Sequence, residues 1–463
     1  MVKIPASGLD VKATLANQRA FFGTGKTKDV EFRIAQLKKL AQLIQEYEQQ
    51  ILDAVYADLR KPAIEAFGSE ILVTLTEIKY VLKNIKAWVK PKKVATPINL
   101  FPSSSYIYPE PFGVVLVVAP WNYPFSLMMQ PLIGAIAAGN CAILKSSEHA
   151  PHTSSVITQM INANFDPSFI TAIEGGIETS QALLAEKFDY IFFTGGTAIG
   201  KIVLEAAAKH LTPVTLELGG KSPCIVDADC NLETTAKRIV WGKFYNAGQT
   251  CVAPDYLLVQ KSIKPALIEK LLEYVKTFFG EDPQQSSDFS RIVNHRQFDR
   301  LVSLLDEGKI LIGGKSDRAD QFIAPTLIDE VSPNSKMMAE EIFGPILPIL
   351  EYGQIEEAIA FVNDQPKPLA LYLFSNDKQK QERILQETSF GGGCFNDTIM
   401  HLGNPDLPFG GVGNSGMGSY HGKASFDTFT HRKSLLKSSF RFDLKWRYPP
   451  YTMTLDTLKK FIK

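Results

Sequence analysis

The sequence predicts an α/β fold in which two parallel sheets are each wrapped by helices. Three observations predict it. Val114-Val115-Leu116-Val117-Val118 is an unbroken β-branched run, as in a strand buried on both faces. Apolar runs of strand length alternate with stretches of helical period from 124 to 218, and again from about 224 to 400. Residues 189–193 lead into the glycine turn Thr194-Gly195-Gly196-Thr197-Ala198-Ile199-Gly200-Lys201 and then a helix, the order of a phosphate-binding strand–turn–helix.

The elements follow in order. Leu37, Leu40, Ile44, Tyr47, Ile51 and Val55 stand at helical spacing over 31–59. Ile71, Leu75, Ile78, Leu82 and Ile85 do the same over 64–90, and Pro91 ends them. Tyr106-Ile107-Tyr108 reads as a short strand. Strands at 114–118, 141–145, 169–173, 190–193 and 214–218 alternate with helices at 124–138, 153–163 and 198–209. A second set has strands at 224–227, 256–260, 346–350 and 370–374. A cleft between two such halves is where ligands are expected. Near the C-terminus Phe440, Phe442, Leu444, Trp446 and Tyr448 alternate with Arg441, Asp443, Lys445 and Arg447, an edge strand or a surface-covering tail.

Composition narrows the class. The 463 residues allow two or three domains, and 45% hydrophobic with 21% charged content is ordinary for a globular protein. A formal net charge of zero argues against nucleic-acid binding through overall positive charge. Cysteines 141, 224, 230, 251 and 394 are odd in number and lack CxxC spacing. That argues against a disulfide framework or a zinc site and for a reducing compartment, with no metal expected. The most apolar region, 112–144, is broken by Pro120, Asn122, Pro124, Pro131 and Asn140, short of the ~18 apolar residues of a spanning helix. No secretory apolar segment stands at the start, so a soluble, cytoplasmic protein is expected.

Two residues carry the chemistry. A lone cysteine is most often buried and inert. Cys251, however, follows Asn246-Ala247-Gly248-Gln249-Thr250, a polar, glycine-containing approach suited to presenting a thiol and a backbone N–H to a ligand. Glu217 ends the apolar strand 214–218, where a carboxylate is costly unless it is paired or has a task. Desolvation would raise its pKa toward that of a general base, and a buried salt bridge is the rival reading. Asn122, in Pro120-Trp121-Asn122-Tyr123-Pro124, can offer an amide N–H to an oxyanion or merely cap a turn. The glycine turn also satisfies most of a Walker A loop. Ile202 stands where that loop needs Ser or Thr, so an NTPase is disfavoured.

Motifs in order give the chain a family resemblance. They are Trp121-Asn122-Tyr123-Pro124, Ile136-Ala137-Ala138-Gly139-Asn140, Glu217-Leu218-Gly219-Gly220-Lys221-Ser222-Pro223, Gly248-Gln249-Thr250-Cys251, Glu341-Ile342-Phe343-Gly344-Pro345 and Pro408-Phe409-Gly410-Gly411-Val412-Gly413. The chain resembles the aldehyde dehydrogenase superfamily, and within it class 3, the fatty- and aromatic-aldehyde branch. Val252-Ala253-Pro254-Asp255-Tyr256 after the cysteine and Asn396-Asp397 before His401 fit that branch.

The resemblance implies two Rossmann-like parallel-sheet domains and a small β bridging arm. The NAD(P)-binding domain would take 1–100 and 112–218, the catalytic domain 219–411, and the arm 101–111 and 412–436, with a tail at 437–463. It implies Cys251 as nucleophile, Glu217 as base and Asn122 as oxyanion donor. Gly195 and Gly200 would sit beside the cofactor pyrophosphate. Lys145 and Glu148 would hold the adenosine ribose, although Ser146 departs from the usual proline. Glu341 would hold the nicotinamide ribose, with Phe343 near the ring and Tyr123 in the substrate pocket. Glu148 favours NAD over NADP, and the branch often accepts both. A homodimer is implied. From 437 to 463 seven Lys/Arg stand against two Asp, so the tail is also a candidate for peripheral contact with an anionic membrane. The rival function is a Cys-dependent acyltransferase or hydrolase without a redox step, which needs no nicotinamide site.

Overall fold

Two parallel sheets stand at the centre of the chain, in a computed structural model that describes residues 10–443 and 445–460. The first sheet has the spatial order Ile170–Ile173, Cys141–Lys145, Val114–Val118, Tyr190–Thr194, Val214–Glu217 and Gly416–Met417. Its first five strands are parallel and the last is antiparallel. The second has the order Lys309–Ile312, Thr326–Asp329, Ile346–Tyr352, Tyr256–Gln260, Pro223–Val226, Ala370–Phe374 and Gly392–Phe395, antiparallel only at Lys309–Ile312. Helices cover both, as parallel crossovers require.

Most expected elements lie where periodicity puts them, and the differences have physical causes. The helix expected over 31–59 is two, Val30–Glu46 and Glu48–Leu59, broken at Tyr47 (φ −95°, ψ 4°). Leu37, Leu40, Ile44, Ile51 and Val55 are buried all the same, so the apolar period runs across the break and conceals it. The segment expected as one helix over 64–90 holds a π-turn, Phe67–Leu72, between Ala63–Ala66 and Val73–Trp88. The described residues of 440–448 form no strand. Lys445–Arg447 is a 3₁₀ turn, and Phe440, Phe442 and Tyr448 are exposed. With Leu100, Phe101 and Leu436 they line a groove of about 580 Å³.

A third sheet, antiparallel, joins Lys92–Val94, Ser104–Pro111 and Thr430–Lys437. Asn140 ties it to the first parallel sheet. Fully buried at the turn before Cys141–Lys145, it accepts from Gly113 N–H (2.9 Å) and donates to Phe429 C=O (2.9 Å). Among the described residues no helix is long and apolar enough to cross a membrane.

Asn140→Ala would leave two buried backbone groups unpaired, at about 1–3 kcal/mol each. The expected loss of unfolding free energy is therefore about 2–6 kcal/mol, measured by denaturant titration. A midpoint equal to that of the parent would contradict this role.

Candidate active site

Strand register gathers the candidate residues. Val118 pairs with Lys145 and with Phe193, Lys145 with Ile173, and Thr194 with Glu217. The 120–124 loop, Lys145, the glycine turn and Glu217 therefore all emerge at the carboxyl edge of the first sheet, the ligand edge of open α/β sheets. Three segments meet them from the second sheet. Residues 219–222, 246–255 and 341–345 lead into Pro223–Val226, Tyr256–Gln260 and Ile346–Tyr352, which are neighbouring strands.

Asn246 organises the cysteine loop. It is fully buried, and its Nδ2 donates to Asn122 C=O (2.8 Å) and Gln249 C=O (3.2 Å). Asn122 Nδ2 donates to the same Gln249 carbonyl (3.0 Å). That uses one of its two amide N–H groups and leaves one for a ligand. Gln249 spans to Arg291 C=O and Val293 N–H. Asn246 and Ala247 both have left-handed backbone (φ 54° and 52°), a conformation that costs non-glycine residues roughly 1–3 kcal/mol. At Gly248 (φ 74°) a Cβ would strike Gly344 C=O, so glycine lets this loop touch the 341–345 loop.

Cys251 sits half-buried at the end of this loop. Burial raises its thiol pKa well above the ordinary range, and the nearby carboxylates of Glu341 and Glu217 push the same way. Glu217 is 2% exposed, and neither carboxyl oxygen has a hydrogen-bond partner. Burial alone holds its pKa well above the usual carboxylate range. Among the described residues no salt bridge pairs with it, in contrast to the buried salt bridge that was the rival expectation. Tyr123 bonds through its hydroxyl to Thr250 Oγ1 (2.6 Å), beside the thiol.

The residues fit a dinucleotide. No side chain caps the helix Thr197–Ala208, and a Cβ on Gly196 would meet nothing within 4 Å. Thr194 Oγ1 is buried without a partner among the described residues, and Ile199 and Ile202 are exposed on the helix. Gly200 lets the helix approach, since a Cβ there would lie 2.5 Å from Leu218 Cδ2. Lys145 Nζ donates to Ser146 C=O (2.7 Å) and Glu148 Oε2 (3.2 Å), so the two residues singled out for the ribose face one another. Glu341 lies against Gly219, where a Cβ would overlap its carboxylate. Phe343, with φ 51°, packs edge-on against Trp121 at 5.3 Å.

Several supports were given no role by the sequence. Lys221 Nζ binds Asp255 (2.5 Å) and the carbonyls of Met337 and Glu340, and Asp255 accepts from Ile342 N–H (3.0 Å). Arg300 donates to Glu341 and Ile342 carbonyls. Together they fix the loop bearing Glu341. Lys221 and Asp255 stand inside motifs without an assigned task, and the only sequence signal of Arg300 is charge, which reads equally well as a solvated surface.

Comparisons with known proteins agree with this architecture. The model of the aldehyde dehydrogenase family matches residues 4–435. The chain is 54% identical over 449 residues to the 4,4'-diaponeurosporen-aldehyde dehydrogenase of Staphylococcus aureus, covering 96% of this chain and 98% of that one. It is 48% identical over 443 residues to the aldehyde dehydrogenase of Mus musculus described as dimeric and NADP-preferring, covering 95% and 98%. Its fold matches the substrate-bound state of Staphylococcus aureus AldH with a TM-score of 0.96 at 53% identity, covering 98% of this chain and 100% of that one. A family match over nearly the whole length, on a fold that carries its motifs to one sheet edge, means that the chain belongs to the aldehyde dehydrogenase family.

Proposed function

We propose that this NAD(P)-dependent aldehyde dehydrogenase acts on medium- to long-chain aliphatic or aromatic aldehydes, apocarotenoid aldehydes included, through a thioester on Cys251. The observation that carries the reading is a buried, unpartnered carboxyl, Glu217, in the electrostatic neighbourhood of a thiol whose loop is bonded to Asn122.

The chemistry follows from these groups. The Cys251 sulfur attacks the aldehyde carbon and its proton passes to the aldehyde oxygen, giving a thiohemiacetal. The free amide N–H of Asn122 and the backbone N–H of Cys251 hold the developing oxyanion. Bound NAD or NADP supplies the hydride acceptor. Loss of hydride and the hydroxyl proton leaves a thioester. Glu217 takes a proton from water, the water oxygen attacks the acyl carbon, and the acid leaves as the thiol re-forms. Lys145, Glu148, Gly195, Gly200, Glu341 and Phe343 would hold the cofactor, with Glu148 favouring NAD. An acyltransferase without a redox step would have no use for these six.

The finer assignments rest on the same reading. The NAD(P)-binding domain comprises 1–100 and 112–218, the catalytic domain 219–411, and the dimer-forming arm 101–111 and 412–436. The relative described as dimeric supports a homodimer. The tail's exposed Phe440, Phe442 and Tyr448 stand among basic residues, an arrangement suited to peripheral contact with an anionic membrane and to capture of long apolar aldehydes. A cytoplasmic enzyme fits five free cysteines.

Purified protein given NAD or NADP and aldehydes from acetaldehyde to dodecanal, with benzaldehyde, should reduce the cofactor faster as the chain lengthens. Faster turnover of acetaldehyde than of dodecanal would contradict the medium- to long-chain reading. Asn122→Ala should lower kcat about 10²–10³-fold, matching about 2.7–4 kcal/mol for one oxyanion donor. An unchanged kcat would remove Asn122 from the reaction. Because Glu217 must ionise from a raised pKa, acyl-enzyme breakdown should accelerate as pH rises, and Glu217→Gln should flatten that limb. A pH profile shared by both proteins would assign the base elsewhere. Removing 438–463 should reduce binding to anionic liposomes and long-chain turnover, and no change in either would sink the membrane reading.

A further inference from the structure

The segment around the π-turn reaches the active site with three ionisable residues that no motif includes. Lys61 and Glu70 are fully buried and paired at 2.8 Å. Lys61 Nζ also donates to Asn122 C=O (3.2 Å) and lies 4.1 Å from the centre of the Tyr123 ring. The second oxygen of Glu70 accepts from Phe125 N–H (3.2 Å) and Ser126 N–H (2.9 Å). Both ends of the 122–126 loop therefore hang on one ion pair. Glu65, one turn earlier, accepts from Asn246 N–H (2.9 Å), the first residue of the strained cysteine approach. Glu65 lies in the turn Ala63–Ala66, and Glu70 in the π-turn Phe67–Leu72 that follows it directly. One helical segment thus grips both loops.

We propose that Lys61, Glu65 and Glu70 are positioning residues that lock the Asn122 loop and the Asn246–Cys251 loop into a single rigid unit. The oxyanion then meets two donors set at a fixed separation, one from each loop. The pair adds no charge at the reacting carbon, since the Lys61 ammonium is spent on Glu70 and a carbonyl. Its effect is geometric, and misplacement of about 1 Å at such a site costs on the order of 100-fold. This rests on the reading of Asn122 as an oxyanion donor.

The test uses the full-length enzyme loaded with NAD. Glu65→Gln keeps an oxygen acceptor for Asn246 N–H, and Glu65→Leu removes it. Glu65→Leu should lower kcat about 10- to 100-fold with KM within about threefold, and Glu65→Gln should stay within about threefold of the parent. Thermal melting of each variant, with its rate of Cys251 alkylation by iodoacetamide, separates a displaced loop from an unfolded chain. Added to Asn122→Ala, Glu65→Leu should cost less than about threefold more, because both act on one unit. Fully multiplicative losses, a kcat unchanged in folded Glu65→Leu, or Glu65→Gln falling as far as Glu65→Leu would overturn the proposal. Asn122→Ala without effect would instead overturn the oxyanion reading, so the two failures are distinguishable.

Discussion

The bonds around Asn246 are the constraint on which the rest of the site depends. Two consecutive non-glycine residues stand in left-handed backbone, within a network of buried hydrogen bonds. Asn246 holds Asn122 and Gln249, Asn122 holds the same carbonyl of Gln249, and Gln249 reaches across to Arg291 and Val293. Strain of this kind persists only where surrounding structure over-determines it, and it gathers at functional sites. Here it lies in the approach to Cys251, whose loop is bonded to the oxyanion candidate Asn122.

Electrostatics at that edge work against stability. A carboxyl buried without partners costs the fold about 1–3 kcal/mol, and Glu217 is such a group. Burial and the neighbouring Glu341 and Glu217 all raise the Cys251 thiol pKa, and burial raises that of Glu217, so in the proposed mechanism both groups must lose a proton the site favours. A base of ordinary acidity would take little part in activating water, whereas a desolvated one is strong enough to do so. The supports of the Glu341 loop have partners instead, Lys221 in Asp255 and Arg300 in two backbone carbonyls, whereas Glu217 has none among the described residues.

Much of the fold was legible because its core strands are short apolar runs with clear ends. Tyr256–Gln260 and Ala370–Phe374 lie where composition puts them. The strand Gly392–Phe395 did not show, since its glycines lack the side chains that mark a strand, although a Cβ on Gly393 would strike Leu371 C=O. The break at Tyr47 and the π-turn were invisible because the apolar period continues across both. The tail's alternation misled, because period 2 needs a sheet edge to pair with. The candidate site was legible where chemistry demands an unusual residue, as with a carboxylate in an apolar strand. It was not legible at Lys61, Glu65 and Glu70, whose partners lie far along the sequence.

Intact-protein and peptide mass spectrometry of Glu217→Gln, mixed with NAD and an aldehyde such as dodecanal, tests the central claim most directly. The account predicts that cofactor reduction stops near one equivalent and that an acyl group accumulates on the peptide containing Cys251, absent when NAD is withheld. Steady turnover with no adduct, or an adduct on another residue, would contradict it.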